Sequence, residues 1–66
     1  MNKQEIIKKL KILGINKSDQ LLNNGLFYWY FEVIKTNKGN DKKLIEINLA
    51  KEELDKLTTQ ELINVL

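Results

Sequence analysis

The stretch Leu26-Phe27-Tyr28-Trp29-Tyr30-Phe31-Glu32-Val33-Ile34-Lys35 decides how this chain is read, because it holds every aromatic residue of the 66. Taken with the two-residue period of a strand, it separates into two faces. Phe27, Trp29, Phe31 and Val33 make one, a core face. Leu26, Tyr28, Tyr30, Glu32 and Ile34 make the other, which is too apolar to meet only water and too polar for a deep core. That half-wet face points to binding rather than to chemistry.

Reading outward from this strand, Thr36-Asn37-Lys38-Gly39-Asn40-Asp41-Lys42 is polar and contains glycine, as a hairpin loop does. A second strand is expected at Lys43–Leu49, with Ile45, Ile47 and Leu49 on one face. Setting Lys35 opposite Lys43 aligns Val33 with Ile45, Phe31 with Ile47 and Trp29 with Leu49, an apolar cross-strand ladder. The same register sets Glu32 opposite Glu46, where like charges repel. Upstream, Ile6, Leu10 and Leu13 recur at helical spacing over residues 3–13, and Gly14-Ile15 reads as the helix stop. A short helix capped by Asn16 or Ser18 follows and ends at Asn23-Asn24-Gly25. Downstream, Ala50–Leu57 reads as helical, and Thr58-Thr59-Gln60-Glu61 is a capping-box pattern opening a helix through Leu66. The expected fold is thus α+β, one small domain over residues 1–66 in the order α-α-β-β-α, with an antiparallel β-hairpin packed on the N- and C-terminal helices. The hairpin's long edges would be open to pairing with another chain.

Composition narrows the classes of function. With neither cysteine nor histidine, a disulfide, a thiolate nucleophile and a zinc site all lack their residues, and Ser18 has no imidazole to activate it. Lys38-Gly39-Asn40 does not make a phosphate loop. No catalytic residue, metal ligand or cofactor site is expected, and the chain is read as no enzyme. A domain this small buries little of its surface, so a partner subunit is a natural source of extra stability. All eleven basic residues are lysine, and asparagine and isoleucine are abundant, a usage that suits AT-rich coding in a low-GC bacterium, its phage or a mobile element. Residues 1–45 carry nine lysines and four acids, a net +5, whereas residues 46–66 carry two lysines and five acids, a net −3. No apolar run reaches membrane-spanning length and the N-terminus does not read as a signal peptide, so an intact cytoplasmic chain is expected.

Two binding functions follow. In the first, Tyr28, Tyr30, Glu32, Ile34, Leu44 and Glu46 form a partner-binding patch. The chain would then be a small regulator or inhibitor, from a phage or mobile element, that occludes a protein partner through the aromatic strand face or edge, or that pairs with its own copy. In the second, two helices joined by Gly14-Ile15 and followed by a lysine-tipped hairpin resemble, in order of elements over residues 5–57, a minimal winged helix of the excisionase type. That resemblance implies nucleic-acid binding, with Lys35, Lys38, Lys42 and Lys43 on the wing and Lys17 at the start of the second helix.

Overall fold

The computed structural model, which describes residues 1–66, is helical throughout. Helix α1 spans Lys3–Ile12, α2 Gly25–Thr36, α3 Asp41–Leu54 and α4 Thr59–Val65, with a 3-10 turn at Ser18–Leu21 between α1 and α2. This overturns the α+β class and the antiparallel hairpin. The first expected strand lies inside α2, the second lies inside α3, and there is no sheet edge to offer a partner.

The reason is visible in the deciding stretch itself. Wound as a helix, it presents Leu26, Trp29, Tyr30, Val33 and Ile34 as one stripe at i, i+3, i+4, i+7 and i+8, and all five pack against the core. Only Glu32 and Lys35 among the ten residues are charged, so both periods find an apolar face. A two-stranded sheet leaves its outer backbone groups unpaired, whereas a helix satisfies its own. The few tenths of a kcal/mol that each β-branched or aromatic residue costs in a helix do not outweigh that.

The helix ends are also specified. Asn37 closes α2, its backbone N–H reaching the Val33 carbonyl at 3.1 Å and its Nδ2 donating to the same oxygen at 2.8 Å. Gly39, at φ 88°, turns the chain. Asn40 opens α3, its Oδ1 accepting from the Lys43 N–H at 3.2 Å, and Asp41 adds negative charge to the first turn. The polar loop is therefore the link of a helical hairpin.

The first helix and its stop behave as the sequence suggests, whereas the expected second helix is reduced to the 3-10 turn Ser18–Leu21. The N–H of Ile15 reaches the Leu10 carbonyl and that of Gly14 the Lys11 carbonyl, each at 2.9 Å, with Gly14 at φ 76°. This is the Schellman closure of α1. The next turn is tied by Gln20 rather than by Asn16 or Ser18. Its Oε1 accepts from the N–H groups of Asn16 and Lys17 at 2.8 and 2.9 Å, and its Nε2 donates to the Gly14 carbonyl at 2.9 Å. Asn23 and Asn24 both take left-handed backbone conformations and deliver the chain to Gly25, whose Cα lies against the carbonyl of Gln20. In α4 the expected capping box is present: Thr58 Oγ1 accepts from the Glu61 N–H at 3.1 Å, and Glu61 Oε1 accepts from the Thr58 N–H at 2.9 Å.

Eight side chains make the core: Ile6, Leu10, Leu13, Ile15, Leu21, Ile47, Leu54 and Leu62. Helix α3 is the hub, packing on α1 with one flank and on α2 with the other, while α4 closes against α1 and the 3-10 turn. No helix is long and apolar enough to cross a membrane.

Candidate functional site

The six residues expected to share one strand face are dispersed. Tyr28 is exposed on α2. Tyr30 turns toward α3, where its hydroxyl donates to Asn48 Oδ1 at 2.6 Å and Lys51 Nζ lies 5.2 Å from its ring centre. Ile34 and Leu44 are half-buried against the core. Glu32 pairs with Lys35 at 3.2 Å along α2, and Glu46 with Lys43 at 3.7 Å along α3, so the expected opposition of the two acids does not arise. Helical winding puts these residues around two helices instead of on one surface.

The wing of the excisionase-like order is likewise absent, since no strand forms. Lys35, Lys38, Lys42 and Lys43 do gather around the α2–α3 link, but two of the four are engaged by Glu32 and Glu46. Lys17 lies apart from them in sequence and element, at the mouth of the 3-10 turn. Glu61 is held below the usual carboxylate range first by its hydrogen bond from the Thr58 backbone N–H and then by the Thr58 side chain. Its role is to cap α4.

What the helices do expose is the outward side of the α2–α3 hairpin, with Leu49 bordering the groove toward α1 and Tyr28 the groove toward the 3-10 turn. Phe27, Tyr28 and Phe31 of α2 and Ile45 and Leu49 of α3 are 61, 55, 51, 62 and 58% exposed. The rings of Phe27 and Phe31 stack with centres 6.4 Å apart, and Lys35 Nζ sits 5.2 Å from the Phe31 ring centre. Tyr28 meets Trp29 edge-on at 5.3 Å. Sequence reasoning put Phe27, Phe31, Ile45 and Leu49 on the buried side of a sheet. The signal that would have placed them correctly is the helical complement of the core stripe. If 26, 29, 30, 33 and 34 face inward, then 27, 28 and 31 face out. If 47, 50 and 54 face inward, then 45 and 49 face out.

The shallow groove between this face and the 3-10 turn has Leu22, Tyr28 and Trp29 as its apolar wall, extending the surface around the N-terminal end of α2. The chain matches no protein-family model, no curated protein and no solved structure.

Proposed function

We propose that this chain is a small non-catalytic protein-binding module that works by covering a protein surface with the outer face of its α2–α3 hairpin. The observation that carries this reading is the apolar content of that face: five large side chains, each more than half exposed, against a core of eight. Scaled from the 150–250 Å² that an aromatic side chain can bury, the five expose on the order of 600 Å². The largest apolar patch of an ordinary monomer covers about 300–600 Å² and is often functional, and this face stands at the top of that range. The composition fits an interface: Phe and Tyr among the exposed apolar residues, with Lys35, Lys42 and Glu52 on the same two helices. Occlusion, as by a regulator or inhibitor, needs nothing more than such a face.

The test is to place a photo-crosslinking phenylalanine analogue at Tyr28 or at Phe31 in producing cells, with Lys8 on the exposed side of α1 as the control position. Covalent protein adducts from positions 28 and 31, with none from 8, are expected. Irradiation that yields no adduct from either aromatic position overturns the reading.

A further inference from the structure

Building on that reading of the outer face, we infer that its occupant is a second copy of this chain, stacked face to face about a two-fold axis so that α3 runs antiparallel to its counterpart. The outer edge of α3 carries Lys42, Ile45, Leu49 and Glu52, spaced i, i+3, i+7 and i+10 as in a coiled-coil seam. The seam is self-complementary when reversed. Ile45 then meets Leu49 and Lys42 meets Glu52, and both pairings are centred on position 47.

Helix α2 has a matching centre. Phe27 and Lys35 lie symmetrically about Phe31, so reversal sets an ammonium over a phenyl ring, the contact Lys35 already makes with Phe31 within one chain. The hydrogen bond from Tyr30 to Asn48 fixes how the two antiparallel helices lie beside each other. Moving one residue forward in α2 and one back in α3 brings position 31 level with 47. The two centres, found separately on two helices, therefore fall on one axis.

Lys42 and Glu52 have no salt-bridge partner within the chain. Lys42 sits in the first turn of α3 and Glu52 in the last, each at the end where the helix macrodipole disfavours it. In the reversed stack each lies against the other's opposite charge. The five apolar side chains expose on the order of 600 Å² of the ~800 Å² per partner of a standard interface, and the charged rim would have to supply the rest. The product is a four-helix bundle built from two hairpins.

The experiment is sedimentation equilibrium on the purified chain, with circular dichroism to confirm that each variant stays helical. The native chain is expected to be dimeric. Lys42→Glu and Glu52→Lys should each weaken the dimer roughly tenfold or more, since each turns two symmetric attractions into repulsions. An equimolar mixture of the two variants should dimerise again, because every seam pair is then opposite in charge. A native dimer indifferent to both reversals overturns the two-fold arrangement. A monomer at hundreds of micromolar whose position 28 or 31 crosslinks to a different protein overturns the second copy and leaves the binding module standing. A monomer that crosslinks to nothing overturns both.

Discussion

Two glycines of this chain do opposite things. Gly14 is required by its left-handed φ of 76°, with Val33 the one neighbour a methyl group would meet, at a comfortable 3.7 Å. Gly25 has ordinary helical backbone but no room, since a Cβ there would lie 1.7 Å from the Gln20 carbonyl oxygen. Glycine to alanine inside a helix normally gains about 0.5–1 kcal/mol. At position 25 the change should instead destabilise by about 1–3 kcal/mol, the range for overpacking, because the clash is with backbone that cannot rotate away. Gly14→Ala should cost about 1–2 kcal/mol through strain alone. Urea unfolding of both variants checks this, and a neutral or stabilised Gly25→Ala would contradict the close approach. Tyr30→Phe removes the bond to Asn48 and should cost about 0.5–1.5 kcal/mol by the same assay.

Helix α4 is seven residues long and depends on its cap. Thr58→Ala should cost about 0.5–2 kcal/mol. The Glu61 carboxylate has its pKa lowered by the hydrogen bonds from Thr58, so its contribution is complete above the unfolded value and is lost as pH falls through the folded one. Thermal melts from neutral pH downward should therefore show an acid-side loss that Glu61→Gln shrinks, since a neutral amide can still accept from the Thr58 N–H. An unchanged acid limb in that variant would contradict the role. The elements differ in how openly the sequence declares them. The ends of α1 and α4 were legible because Gly14-Ile15 and Thr58-x-x-Glu61 each satisfy named backbone groups locally. The type of α2 was not, because Leu26 to Ile34 is so uniformly apolar that alternation and helical spacing fit it alike, and the wrong period turned Phe27 and Phe31 inward. Of the six residues of the expected patch, Tyr28 and Glu46 are exposed, on different helices, while Tyr30, Glu32, Ile34 and Leu44 are half-buried. Asn40-Asp41 before Lys43 was a helix start, read instead as part of a turn.

Across its shortest dimension the Cα trace spans 17 Å, little more than the ~15 Å between the outer Cα atoms of two packed helices, so the molecule is two helix layers thick around one core. A chain of this size has roughly 3–10 kcal/mol of total stability. Leu10→Ala, at a fully buried position, should remove about 2–5 kcal/mol and leave much of the population unfolded at 37 °C. Tyr28→Ser with Phe31→Ser should do the reverse, keeping the helical circular dichroism while abolishing association. If that pair unfolds the monomer, the outer face belongs to the fold rather than to binding. A concentration-dependent melting temperature in the native chain alone would complete the contrast. The position of Trp29 gives these measurements an optical readout. The sole tryptophan lies on the flank of α2 that meets the 3-10 turn, beside Leu22. Its ring also meets Tyr28 edge-on at 5.3 Å, so its emission will report both the docking of α2 onto the 3-10 turn and the covering of the outer face. The molecule thus carries an intrinsic probe with two sources of change, and circular dichroism on the same dilution series tells a folded monomer from a lost one.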